Sequence, residues 1–90
     1  MTKMDYPQMA RDINAVGLDN LRRHIRKFHP RTVPHMERNI AIIKYCVIHG
    51  PSETGRVYGI HPTSVRRIIE FYWDLAKEAQ YEAERLREKA

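Results

Sequence analysis

Two adjacent arginines, Arg66 and Arg67, offer the most specific chemistry in this chain, because they follow a proline that can open a helix. A guanidinium group presents N–H donors in a planar fork, which pairs with guanine O6 and N7 in a DNA major groove or with a phosphate. Arg56, on the helical stretch before them, is placed for a phosphate contact. The hydroxyl and imidazole side chains nearby suit contacts with phosphates or a thymine methyl; they belong to Ser52, Thr54, His61, Thr63 and Ser64.

A second basic cluster lies earlier in the chain and faces away from an apolar stripe. It could follow phosphates beside the first group and raise the salt dependence of binding, or it could be an ordinary solvated helix face. Both interpretations stay open. The cluster consists of Arg22, Arg23, Arg26, Lys27 and Arg31.

The charge of the chain favours a polyanionic partner. The net charge is +5 and the pI about 9.7, although ribosomal and membrane-surface proteins share such values. Residues 1–38 carry +4, residues 39–69 carry +3 and residues 70–90 carry −2. A DNA-binding face followed by a segment that points away from DNA would have this distribution.

The remaining composition indicates a small cytoplasmic protein. Ninety residues suit one domain, and chains of this size often gain stability by dimerising. The single cysteine, Cys46, rules out an intrachain disulfide framework. No apolar run reaches the roughly 18 residues that a membrane span needs, so we expect no membrane partner.

Helical spacing of apolar residues predicts an all-α fold. Pro7 opens a first helix that Gly17 ends or bends, and a second stripe runs from Leu18 to Phe28. Residues 29–34 form a linker, since two prolines four residues apart do not fit inside a helix. The chain therefore divides into a helical region and linker (1–34) and a second part (35–90), packed as one compact unit.

The second part is predicted to contain three helices. The first covers residues 35–49, although its isoleucines also suit a strand, and Gly50-Pro51 ends it. Ser52 can cap the next helix. After Pro62 the chain has no further glycine or proline, and its Ala, Glu, Arg and Lys content predicts one helix of about 25 residues.

Residues 51–70 match the positional demands of two crossing helices joined by a tight turn. Gly55 stands where the helices cross and a small residue is needed, and Gly59 stands where the chain must turn through a left-handed conformation. Four positions should be buried, namely Tyr58, Ile60, Val65 and Ile68. Six should face outward, namely His61, Pro62, Thr63, Arg66, Arg67 and Glu70.

On these residues the stretch resembles the bacterial and phage helix-turn-helix family. With residues 40–50 (IAIIKYCVIHG) as a supporting helix, the resemblance implies a tri-helical domain whose helix from Pro62 enters the major groove. The order of this segment, the motif and residues 65–76 (VRRIIEFYWDLA) is also similar to KorA/TrfB-type plasmid repressors. Two residues depart from the family pattern: Tyr58 is larger than the usual aliphatic residue, and His61 replaces the usual Ser or Thr cap.

The aromatic run after the motif has two interpretations. Three consecutive helical residues cannot share one face, so at least one of Phe71, Tyr72 and Trp73 is exposed unless another element covers it. Seven-residue spacings give a short heptad seam, which suits a dimer helix, while packing against the N-terminal helices is the rival. The candidate dimer residues are Phe71, Tyr72, Trp73, Leu75, Ala79 and Leu86.

The sequence contains no convincing catalytic, metal or cofactor site. Cys46 and His49 share a helix face and His24 and His29 lie five apart, but neither pair completes a four-ligand site. We therefore expect no enzyme, no cofactor and no small-molecule ligand.

Together these features predict a sequence-specific double-stranded-DNA-binding protein, a homodimeric transcriptional regulator with repression favoured. One alternative is a DNA-binding subunit of a phage packaging, excision or replication complex. The other is a helical protein–protein adaptor that does not bind DNA.

Overall fold

The structure is a computed structural model that describes residues 5–89, without the side chains of the last two of these. Its described part is all-helical, as the apolar spacing predicts. Three of its elements precede residues 51–70, and the last two each contribute a part of that stretch. They are α1 (Tyr6–Ala15), α2 (Leu18–Phe28), the 3-10 turn η1 (Pro30–Thr32), α3 (Val33–Tyr58) and α4 (Pro62–Lys89).

The first two helices begin and end where their residues dictate. Asp5 caps α1, because its carboxylate accepts the backbone N–H of Gln8 at 3.1 Å, and Pro7 lies in the first turn. Gly17, between the helices, has φ +99°, a conformation that costs glycine little. Tyr6 is the first residue of α1, one position before Pro7.

The linker is shorter than residues 29–34. Pro30 opens the 3-10 turn, and α3 begins at Val33 with Pro34 in its first turn. A proline is tolerated there because the first N–H groups of a helix have no partner inside the helix. The two prolines thus begin two successive elements.

Gly50 divides α3 into residues 33–49 and 51–58. Its backbone has φ +79° and ψ +169°, outside the helical region, and Pro51 resumes the helix. The predicted stop at Gly50-Pro51 is therefore a sharp kink. Ser52 lies within the first turn of the second segment, and the non-helical residue before that segment is Gly50, so the expected serine cap is wrong.

The core lies where α1 packs against both α3 and α4, with α2 packed on α4. The inward stripe of α4 holds Val65, Ile69, Tyr72 and Leu75, all essentially inaccessible to solvent. Tyr72 is buried within the chain, where its hydroxyl accepts a hydrogen bond from Asn39 of α3 at 3.4 Å. Facing residues from the other helices include Ile13, Leu21, Ile25, Ile40, Ile42, Ile43 and Cys46.

Candidate nucleic-acid interface

The segment 51–58 crosses the start of α4 at Gly55. A Cβ atom added to Gly55 would lie 2.6 Å from the carbonyl oxygen of Ile60 and 3.3 Å from the nitrogen of Pro62. Both are backbone atoms, which cannot swing aside as the end of a flexible side chain can. The prediction that this position must be small is confirmed, with the turn itself as the neighbour.

The turn between the two helices has the predicted left-handed residue. Gly59 has φ +70° and ψ +32°, and the backbone N–H of Ile60 returns to the Gly55 carbonyl at 2.9 Å. The N–H of Gly59 donates to the same oxygen, so the Gly55 carbonyl accepts two N–H groups at the end of α3. Gly59 fixes the direction of the turn, and Gly55 permits its close approach.

His61 caps α4 in place of the usual Ser or Thr. Its Nδ1 accepts the backbone N–H of Thr63 at 3.1 Å, and its carbonyl accepts the N–H of Ser64 at 2.9 Å. An imidazole that accepts at Nδ1 carries its proton on Nε2 when neutral, so Nε2 is a donor. The departure from the family pattern thus retains the capping role.

The predicted buried positions are occupied unevenly. Val65 is fully buried, whereas Tyr58, Ile60 and Ile68 are only partly buried against the core. Ile69 takes the deepest position on this turn of α4.

The opposite side of α4 is a polar surface, which we call the Thr63–Arg67 face. Thr63, Ser64 and Arg67 are exposed on it. Arg67 forms no ion pair with any side chain in the described part of the chain. Its guanidinium donors therefore point into solvent without a carboxylate that would compete for them.

Arg66 is held differently from Arg67. It is half-buried, and its guanidinium carbon lies 5.9 Å from the centre of the Tyr6 ring. The Tyr6 hydroxyl donates a 2.9 Å hydrogen bond to Glu70, one turn along α4. Burial raises the pKa of Tyr6, and the bond to Glu70 raises it further. Tyr6 thus positions Arg66 at the edge of the face.

Arg56 faces outward as predicted, but it has a partner. Its side chain is 75% exposed and forms a bidentate pair with Glu53, with Nε 3.0 Å from Oε2. The Arg56 hydrogen bonds hold the pKa of Glu53 below its usual value. A phosphate contact by Arg56 would have to compete with this carboxylate.

The expected phosphate contact of Thr54 is wrong. Its side chain is fully buried, and its hydroxyl donates to the Gly50 carbonyl at 2.7 Å. The hydroxyl therefore secures the kink in α3. Ser52 is exposed and stays available at the start of the same segment.

The earlier basic cluster does not adjoin the motif. The helix α2, which carries all of the cluster except Arg31, packs on α4 near Glu78, about 24 Å along α4 from Pro62 at 1.5 Å per residue. Arg22 is also paired, 2.6 Å from Glu37 and 3.3 Å from Asp19. The exposed members are Arg23, Arg26, Lys27 and Arg31.

Half of the candidate dimer surface lies inside the fold. Tyr72, Leu75 and Ala79 are buried against the other helices, so their place in an intermolecular seam is wrong. Phe71 and Leu86 are exposed, and Trp73 is half-buried with Lys77 Nζ 3.5 Å from its ring centre.

Two sets of side-chain contacts could not be predicted from the sequence pattern. Tyr6 reaches Glu70 across 64 positions, and His24 and His29 meet Glu78 across 54 and 49 positions. Neither contact has a local sequence signal, because both depend on how distant helices dock. The five-residue spacing of the histidines was visible, but their carboxylate partner was not.

A scan of protein-family models, a search of curated proteins and a search of solved structures each return no match to this chain. Within residues 5–89, no helix combines the length and the apolar character needed to cross a membrane.

Proposed function

We propose that this protein binds double-stranded DNA sequence-specifically through a helix-turn-helix formed by residues 51–58, the turn at Gly59 and the start of α4. The supporting helix would be residues 33–49. The first turns of α4 would enter the major groove, where one α-helix fits between the phosphate backbones.

One observation carries the proposal: the tight Gly55–Ile60 crossing directs an exposed, unpaired Arg67 outward from the first turns of α4. The turn leaves no room for a Cβ at Gly55, because the backbone atoms of Ile60 and Pro62 lie too close to it.

The contacts differ in kind along the Thr63–Arg67 face. Arg67 is the best donor for a guanine, because it has no competing carboxylate. Arg66, resting on Tyr6, suits a base or a phosphate at the edge of the groove. His61 would donate from Nε2 to a phosphate, with Ser52 and Ser64 as further phosphate contacts.

We further propose that the protein acts as a dimeric transcriptional regulator that occupies an operator, with repression favoured. In a two-fold dimer the two copies of α4 would reach successive major grooves about 34 Å apart. Of the dimer residues expected from the sequence, Phe71, Trp73 and Leu86 remain accessible. Light scattering that gives a mass of about 10.7 kDa at working concentration would contradict the dimer.

The test of DNA binding is affinity for a selected site, compared with random DNA, over a salt series. We expect Arg66→Ala plus Arg67→Ala to abolish preference for the site while circular dichroism stays unchanged. Arg23→Ala plus Arg26→Ala removes the same charge from α2 and serves as the control. Equal loss of preference in both double variants would refute the proposal.

One observation favours the adaptor alternative. Phe28, Tyr81 and Leu86 are 47%, 64% and 60% exposed around the groove between α2 and the end of α4. Exposed apolar side chains grouped in this way are typical of protein contacts. Absence of DNA binding even at low salt would favour this function.

A further inference from the structure

The geometry points to a zinc site between α2 and α4, in which His24, His29 and Glu78 coordinate Zn²⁺. This inference is independent of DNA binding, since the three residues lie far along α4 from the Thr63–Arg67 face. It assigns a role to two histidines that the proposed function leaves unused.

The three ligand atoms already converge. Nε2 of His24 lies 3.1 Å and Nε2 of His29 lies 2.9 Å from the same oxygen, Oε2 of Glu78. The ligand atoms of the three residues all lie within 4.8 Å of one another. In a tetrahedral site with bonds of about 2.0–2.1 Å, neighbouring ligand atoms are about 3.3 Å apart. A separation of a few tenths of an ångström between Glu78 and each imidazole, together with a closer approach of the two imidazoles to each other, therefore admits the ion.

The backbone and rings around the site hold both imidazoles in place. His29 ends α2, with its N–H bonded to the Ile25 carbonyl at 2.8 Å and its carbonyl bonded to the Thr32 N–H at 2.9 Å. The His24 side chain is only 9% exposed, and its ring lies 4.9 Å from that of Phe28. Ordered ligands lose little conformational freedom on binding, which favours affinity.

The site has room for a fourth ligand. A cavity of about 280 Å³ adjoins it, lined by His24, Phe28, Glu78, Tyr81 and Glu82. Glu82 stands one turn after Glu78 on α4, so its carboxylate or a water can complete the coordination.

The donor set selects the metal. Two neutral imidazoles and one carboxylate form a borderline set that suits Zn²⁺ better than Mg²⁺ or Ca²⁺, which prefer oxygen ligands. A bound ion would join α2 to α4 across the groove.

The test is zinc titration of the purified full-length protein, without DNA, against a chromophoric chelator at pH 7.5. We expect one zinc per chain and a rise in Tm of about 4–8 °C at zinc concentrations several times Kd. His29→Gln and Glu78→Gln should each weaken zinc binding at least about tenfold and remove the rise in Tm.

Matched controls separate the site from adventitious binding. His35→Gln removes an exposed histidine on α3 and Glu84→Gln an exposed carboxylate on α4, and both should bind zinc like the original chain. Zinc affinity unchanged by His29→Gln and Glu78→Gln, or lowered equally by the controls, would overturn the site and leave a hydrogen-bonded cluster only. Because no DNA is present, either result is independent of the proposed function.

Discussion

The two ends of α4 are built in different ways. The turn that leads into α4 is held by local contacts: Ile60 bonds to Gly55, His61 caps the N–H of Thr63, and Arg56 pairs with Glu53. After the turn, Tyr6 of α1 contacts Arg66 and Glu70. Toward the end of α4, Glu78 contacts His24 and His29 from across 54 and 49 positions. The turn therefore takes its shape from its own neighbours, whereas the far end of α4 depends on docked α2.

This difference predicts which substitutions should act on one region of α4 and leave the other unaffected. The crossing and turn of residues 51–61 depend on two glycines and short-range hydrogen bonds, and need no contact with α2. Changes at the His24–His29–Glu78 cluster should therefore leave the Thr63–Arg67 face unaltered. Changes at Gly55 or Gly59 should affect the whole fold, because α3 and α4 share the core.

The largest effect is expected at Gly55. Gly55→Ala places a Cβ 2.6 Å from the Ile60 carbonyl, and the resulting shift of the turn should cost about 3 kcal/mol, the upper end for overpacking. Gly59→Ala meets no neighbour within 4 Å and pays only for its φ of +70°, about 1–2 kcal/mol. Urea unfolding measures both, and a larger cost at Gly59 than at Gly55 would contradict the crossing.

Arg67→Ala should weaken binding to a selected DNA site by about 1–3 kcal/mol, the value of one bidentate guanine contact. Arg66→Ala should also lower the free energy of unfolding by about 0.5–1 kcal/mol, because its guanidinium packs over Tyr6. Fluorescence anisotropy and urea unfolding separate the two effects. If Arg26→Ala on α2 weakened specific binding as strongly as Arg67→Ala, the assignment of base contacts to the Thr63–Arg67 face would be wrong.

Thr54→Val should cost about 1 kcal/mol of stability, since it leaves the Gly50 carbonyl without its 2.7 Å partner. Ser52→Ala, two residues earlier and exposed, should leave unfolding unchanged and weaken DNA binding slightly. The two variants thus distinguish a hydroxyl that stabilises the fold from one that lies on the surface. A Thr54→Val protein as stable as the original chain would refute the role of the hydroxyl at the kink.

The smallest effect is a pH dependence at Glu53. Its pKa is lowered in the folded state by the hydrogen bonds from Arg56. The stabilisation is therefore present above the usual pKa of a glutamate and is lost as pH falls through the lowered value. We expect Glu53→Gln to lower Tm slightly at pH 7 and not at pH 2.5. If Glu53→Gln changed Tm equally at both pH values, the ion pair between Glu53 and Arg56 would contribute nothing to stability.

Much of the fold and part of the site could be predicted from the sequence. The conformational roles of Gly55, Gly59 and Pro62 follow from their residue types and can be predicted from the sequence. The spacing of apolar residues predicts the helices. The burial of Thr54 and the pairing of Arg56 depend on how the short segment 51–58 is rotated about its own helix axis. The spacing of apolar residues does not determine this rotation. Tyr6 and Glu78 act through partners that only the docked helices supply.

The central claim is that the Thr63–Arg67 face determines which DNA sequence is bound. Selection of sites from random double-stranded DNA tests it most directly, with the original chain, Arg67→Ala and Arg26→Ala compared at one salt concentration. We expect the selection to yield one defined DNA site for the original chain and for Arg26→Ala. For Arg67→Ala we expect the preference to be lost at one or two base pairs of that site. No enriched site for the original chain, or the same site for all three proteins, would contradict it.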